Sequence, residues 1–349
     1  MNLNIQQQLE PIFETMGLLF VSSHADRFKK NTIEDLNKLG VDGEVFYIKH
    51  LKVLDKYISV FMKHRVLDDS ANSFFSEESE AFFSVLLSLL SENTGWLTAV
   101  EEIPEDEIRE ALLKVLLSLE ESDDPMVQTI SAADICTLDG IIKFLNSCPV
   151  DEGMKWKLMS MLKSPRTQLQ MLTDIIKSNL PAFEKASLEV EKSLHKLIPA
   201  YVQSVQNHED EQFLKLIRMF TEEPDIYPTL IMPLGQMMFR RKCYYGLYVD
   251  ALPITGRNLA DARDFLLMRL KALGDNSKLQ ILASLKQSPK YNLEIAEQLG
   301  LTAATMSHHM NVLLACGMVG IEKKNGKVYY HLAQDNLQQL IKDLEQFLL

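Results

Sequence analysis

Apolar side chains recur along most of this chain at spacings of three and four, the period of a helix with one buried face. Ile108, Leu112, Leu116 and Leu119 follow it closely. Pro104 ahead of Glu105 and Asp106 marks a helix start, because proline there gives up an N–H that has no partner, and the acids meet the positive end of the helix dipole. The same reading predicts helices over Glu152 to Lys163, Arg166 to Ser178, Pro181 to Gln206 with a bend at Pro199, and Glu209 to Phe220. Breaks are expected at Ser164-Pro165 and at Asn179-Leu180-Pro181. The apolar run from Phe82 to Leu90 is too short for a bilayer, which takes about 20 residues, and reads as a core helix.

One stretch departs from the helical period. Asp225 to Asp250 is dense in β-branched, aromatic and methionine residues and is punctuated by Pro228, Pro233, Gly235 and Gly246, so two short strands are predicted there, with Met1 to Ile5 as a third. Leu252 to Gly256 reads as a connector, and helical spacing resumes at Leu259. This places a domain boundary near Thr255 and divides the chain into residues 1–255 and 256–349.

The second part carries a denser set of signals. A helix from Asn258 to Leu273 ends at Gly274, and Asp275 caps a second helix that runs to Lys286. Tyr291 to Leu299 gives a short helix. Gly300 supplies a turn that requires positive φ, and Thr302 caps a further helix from Ala303 to Ala315, which together is helix-turn-helix spacing. Beyond Gly317, Met318 to Ile321 and Lys327 to Leu332 read as strands joined through Asn325-Gly326, the pair that two-residue hairpins prefer. The fold class is therefore mainly α, a helical N-terminal domain with a small β element followed by a C-terminal winged helix-turn-helix.

Charge sharpens this division. The whole chain carries −12, yet from Ala260 onward ten basic residues face nine acidic ones, which leaves 26 basic against 39 acidic, or −13, in the first 259 residues. Acidic bulk repels phosphate, so a DNA contact belongs to the C-terminal part alone. The four cysteines, Cys136, Cys148, Cys243 and Cys316, form no C-x-x-C pair and read as buried thiols. With acids at Glu10 and Glu14 and a first positive side chain at Arg27, no secretory signal is read, and the expected compartment is the cytoplasm.

In the segments ALGDNSKLQIL, EIAEQLGLTAATMSHHMNVLLACGMV and KKNGKVYYHL, the chain resembles the ArsR family of winged-helix repressors over roughly Asn258 to Leu349. The resemblance implies a homodimer that sets two recognition helices into successive major grooves of a palindromic operator, with the first and last helices of the module packed across the two-fold axis. Leu337, Leu340, Ile341, Leu344, Phe347 and Leu348 form an apolar stripe suited to that role.

Met306, Met310, Leu313 and Leu314 lie at core spacing on the recognition helix, which leaves Thr302, Ala304, Thr305, Ser307, His308 and His309 toward the groove. Lys323, Lys324, Asn325 and Lys327 on the wing offer phosphate contacts. No metal site is expected. His308 and His309 point about 100° apart on a helix and do not converge. The family's metal sensors place cysteines in the helix before the recognition helix, whereas Asn292 to Leu299 has none, and the last helix has acids but no histidine.

Residues 1–255 show none of the common nucleotide-binding, metalloprotease or hydrolase signatures, so neither catalysis nor a cofactor is expected. A domain that receives a small-molecule or protein effector is the leading reading. A scaffold protein whose winged helix binds protein is the alternative. The basic and aromatic run Phe239 to Tyr245 is read either as a ligand or partner site or as an exposed strand edge blunted by charge. Trp96 and Trp156 are read as core or groove anchors, and Cys316 as a buried thiol rather than a redox sensor.

Overall fold

The structure is a computed structural model. It describes residues 3–38, 41–75, 80–119, 131–148, 150–207, 213–214, 217–218, 223–239, 241–252, 262–301, 303–324 and 327–349, the side chains of 38, 69–70, 118–119, 262–265, 303–304, 307–308, 315, 323–324, 327 and 346 excepted. The helices are α1 (Pro11–Ser22), α2 (Ala25–Lys38), α3 (Gly43–Phe46), α4 (Lys52–His64), α5 (Asp69–Phe75), α6 (Glu80–Glu92), α7 (Glu105–Leu119), α8 (Leu138–Ser147), α9 (Glu152–Lys163), α10 (Pro165–Glu189), α11 (Glu191–Asn207), α12 (Ala262–Leu273), α13 (Asn276–Gln287), α14 (Asn292–Leu299), α15 (Ala303–Ala315) and α16 (Gln334–Leu348). The strands are β1 (Asn4–Ile5), β2 (Asp225–Thr229), β3 (Gln236–Met238), β4 (Lys242–Gly246), β5 (Val319–Lys324) and β6 (Lys327–Leu332). Among the described residues no helix is long and apolar enough to cross a membrane.

Contacts gather the chain into two compact units. The first joins Met1–Phe28, Lys52–Gln203 and Thr221–Leu247, and the second joins Lys29–Leu51, Ser204–Phe220 and Tyr248–Leu349. The expected boundary residue Thr255 lies outside the described residues, as does most of the helix expected over Glu209 to Phe220.

In the first unit α10 packs on α1 and α4, and α6 packs on α7 and α9. The apolar run read as a core helix is α6, with Phe82, Val85, Leu86, Leu87, Leu89 and Leu90 buried. Two helix boundaries differ from expectation: α10 runs unbroken through Asn179-Leu180-Pro181 and ends at Glu189, with Val190 as its cap. Proline inside a helix costs roughly 3 kcal/mol, whereas α10 buries Leu172, Ile175, Ile176 and Phe183 along its length at about 1.5–3 kcal/mol each. Asn179 adds an anchor, since its amide donates to the carbonyls of Val66 (3.0 Å) and Ile175 (2.9 Å) and accepts from the Val66 N–H (2.8 Å).

The small β element is a four-stranded sheet in the order β1-β2-β4-β3, with β1 and β4 both parallel to β2 and β3 antiparallel to β4. The N-terminal strand is present, and three further strands stand where two were expected. The run from Phe239 to Tyr245 is consequently no exposed edge. β4 is an inner strand with Cys243, Tyr244 and Tyr245 buried, Tyr244 stacks on Phe13 at 3.7 Å, and Lys242 pairs with Glu10 (3.3 Å).

Glu14 on α1 ties the helix to the chain leaving β2. Fully buried, it accepts from Tyr57 Oη (2.8 Å), Thr229 Oγ1 (2.7 Å), Leu230 N (2.9 Å) and Ile231 N (3.2 Å). Burial pushes its carboxyl up to about 7, and the four donors offset part of that shift. Trp96 is buried as expected, but Trp156 is 67% exposed and anchors no core. Cys148, Cys243 and Cys316 are buried thiols, whereas Cys136 is exposed.

Candidate nucleic-acid interface

The winged helix-turn-helix is built from local signals. α13 starts at Asp275, whose carboxylate accepts from the Lys278 N–H (3.0 Å) and pairs with Lys278 Nζ (3.2 Å). That backbone bond leads the effects holding the Asp275 carboxyl below the usual carboxylate range. At the end of α14 Gly300 takes φ 65°, and the Leu301 N–H reaches back to the Ala296 carbonyl (2.9 Å), a closure that needs the left-handed conformation glycine tolerates. Ala296 is buried where α14 meets the recognition helix α15.

Met306, Met310 and Leu313 on α15 are fully buried with Ile281, Leu285 and Ile295, which fixes the rotation of the helix about its axis. That rotation leaves Thr305 and Asn311 exposed. His309 is half-buried. Ala304, Ser307 and His308 belong to the same helix, with side chains outside those described, and Thr302 and Asn325 lie outside the described residues.

Beyond α15 the chain reverses at Gly317, with φ 64°, and the Met318 N–H returns to the Leu313 carbonyl (3.0 Å). β5 and β6 pair from Val319 with Leu332 to Lys324 with Lys327. β5 is longer than its predicted span of Met318 to Ile321, so the register sets Lys323, Lys324 and Lys327 together at the tip of the wing. A bridge between Lys290 and Tyr330 adds a third backbone to the wing's root, and Lys290 Nζ donates to the Ser284 carbonyl (2.7 Å). Sequence reasoning missed this anchor, because a single bridged residue carries no periodicity; Pro289 restrains Ser288 before it and leaves Lys290 unmarked.

The last helix divides its apolar residues between two surroundings. Leu340 is in the core with Leu337 and Leu344 against it, while Ile341, Phe347 and Leu348 are more than half exposed. α16 packs on α12, where Leu267 and Leu270 are also exposed. Cys316 is fully buried at the end of α15, and burial pushes its thiol up to about 11, a poor setting for a redox sensor. Among the described residues no three His, Cys, Asp or Glu side chains gather as a metal site would need.

The profile of bacterial regulatory proteins of the arsR family matches residues 275–320, from the cap of α13 to the first residues of the wing. The HTH-type transcriptional regulator CmtR of Mycobacterium tuberculosis (strain ATCC 25618 / H37Rv) is 33% identical over 90 residues, which are 26% of this chain and 76% of that protein. The CmtR of Mycobacterium bovis matches to the same extent. The uncharacterized HTH-type transcriptional regulator MJ1325 of Methanocaldococcus jannaschii is 30% identical over 77 residues, 22% of this chain and 86% of that protein. No solved structure matches the chain.

Proposed function

The chain belongs to the arsR family of bacterial regulatory proteins, and on that premise we propose that it is a sequence-specific DNA-binding transcriptional regulator acting as a repressor from the cytoplasm. The observation that carries the reading is the joint geometry of α15 and the wing: a helix turned so that its methionines face the core and Thr305 faces solvent, beside a hairpin whose register gathers three lysines at its tip. A helix so placed reads base edges and the lysines hold phosphates.

Residues 256–349 bind DNA and dimerise in this proposal, and residues 1–255 receive a small-molecule or protein effector. Exposed Leu267, Leu270, Ile341, Phe347 and Leu348 on two packed helices support dimerisation through α12 and α16, since exposed apolar surface gains free energy when covered. An effector that favours one arrangement of the dimer changes operator occupancy by its differential affinity for the two arrangements.

Selection of bound fragments from genomic DNA by the purified full chain, at two salt concentrations, tests the proposal. Enrichment of an inverted repeat is the expected result. Retention of all fragments alike, abolished by salt, would reduce the module to a nonspecific polyanion binder, and no retention by a folded protein would turn the winged helix toward a protein partner.

A further inference from the structure

The turn joining α15 to β5 is gripped from outside at three successive carbonyls. Arg269 Nε on α12 donates to the Cys316 carbonyl (3.0 Å), Asn336 Nδ2 on α16 to the Gly317 carbonyl (2.8 Å), and the Ala333 N–H at the start of α16 to the Met318 carbonyl (3.0 Å). A Cβ on Gly317 would lie 3.2 Å from Asn336 Nδ2 and 3.6 Å from Arg269 Nη2, so both side chains close over the same point.

Arg269 is an expensive way to fill this place. It is 6% exposed among Leu266, Met268 and Ala272, and a buried guanidinium costs free energy unless it is paired and hydrogen-bonded. Its pairing is spread over two elements: Nε goes to the end of α15, while Nη1 lies 3.7 Å from Asp343 Oδ2 on α16. Asp343 is itself held by Gln339, whose Nε2 donates to Oδ1 (2.8 Å). An apolar side chain at 269 would pack this core without any of these bonds.

Leu267, two residues before Arg269, and Leu270, next after it, are exposed, and so is Ile341, two residues before Asp343. The group that grips the end of the recognition helix therefore stands on the two helices that bear the uncovered apolar surface. We propose that Arg269, with Asn336 beside it, is a positioning residue for DNA recognition: it fixes the end of α15 and the root of the wing to the α12–α16 pair, so that a shift between these two helices is carried to the residues that face the groove. The inference rests on the DNA-binding reading above and names where in the module regulation acts.

The test uses the full chain with Arg269→Met, Arg269→Lys or Asn336→Ala, measured on a fragment selected by the unmodified protein and on a random fragment of equal length, with mass and thermal unfolding recorded. Arg269→Met is expected to weaken binding to the selected fragment by about tenfold while the random fragment, which reports phosphate attraction, stays within about twofold and the mass is unchanged. Arg269→Lys recovers part of the loss. Asn336→Ala, which trims an exposed side chain, weakens the selected fragment by about threefold.

A folded Arg269→Met protein with an unchanged ratio between the two fragments overturns the proposal, as does an equal loss on both. If Arg269→Met does not fold, Asn336→Ala decides: a reduced ratio supports the proposal and an unchanged one overturns it. A failure of the DNA-binding reading shows earlier, in unmodified protein that prefers no fragment, and takes this inference with it.

Discussion

Helix α6 in the first unit buries six apolar side chains, whereas α16 in the second buries Leu340, half-buries Leu337 and Leu344 and leaves Ile341, Phe347 and Leu348 more than half exposed. The buried charges differ in the same sense. Glu14 is enclosed by four donors from α4, the end of β2 and the chain after it, while Arg269 spans from the end of the recognition helix to a partly exposed aspartate on α16. Sequence periodicity makes both helices amphipathic, but it does not distinguish a face covered by its own chain from one left open. The apolar face of α6 is closed within its own unit, whereas that of α16 is left partly uncovered.

The contrast breaks if a core substitution in the first unit behaves like a substitution on α16. Phe82→Ala is expected to lower unfolding free energy by about 3–5 kcal/mol in a denaturant titration, leaving mass in solution unchanged. Phe347→Ala should alter it by no more than about 0.5 kcal/mol at concentrations where the chain is monomeric.

The next effect is that of Glu14 on stability against pH. Its folded value of about 7 lies above the unfolded 4.5, so the native state holds the proton longer. The contribution is fully present below pH 4.5 and is lost as pH rises toward 7, by about 3 kcal/mol, because one pKa unit is worth 1.36 kcal/mol. Denaturant titrations of the protein and of Glu14→Gln across pH 4.5–8 check this, and the same slope in both would remove Glu14 from the account.

Charging the open face gives the third prediction. Ile341→Glu with Phe347→Glu is expected to yield a monomer that binds the selected fragment on the order of 100-fold more weakly, since a half-site forfeits one recognition helix. Smaller effects separate base readout from phosphate attraction. Thr305→Ala should cost about 1–3 kcal/mol on the selected site and little on random DNA, while Lys323→Ala and Lys324→Ala should weaken both and each lower the salt slope by about one.

Much of the winged helix was legible because its punctuation is local. Among the described residues Gly300 and Gly317 are the glycines with positive φ, and both end helices at the predicted turns. The hairpin followed from the Asn325-Gly326 pair between two strand stretches, although that turn lies outside the described residues. In the first unit the helices and the strand-forming stretches were legible, but the pairing of the strands was not. Its sheet pairs β1 with β2 across more than 200 residues, and parallel pairing has no local signal. Pro181 read as a break because the stabilisation that keeps α10 whole comes from tertiary burial.

The residues that hold turns from a distance escaped for a related reason. Glu14 read only as an acid arguing against a secretory start, yet it sits among Phe13, Met16, Leu18 and Leu19, where a charged residue within an apolar run was the available signal. Arg269 lies between Leu267 and Leu270, both exposed, and no motif in the sequence singles it out. Its partner, the Cys316 carbonyl, is a backbone group that no residue type announces.

The most direct test of the account compares binding to the selected inverted repeat with binding to the same fragment after one half is scrambled, with the mass of each complex measured. Two chains on the intact repeat, and a loss of about 100-fold or more with the scrambled half, are the predicted result. One chain per fragment with equal affinity for both would contradict it and leave the open face of α12 and α16 to a different partner.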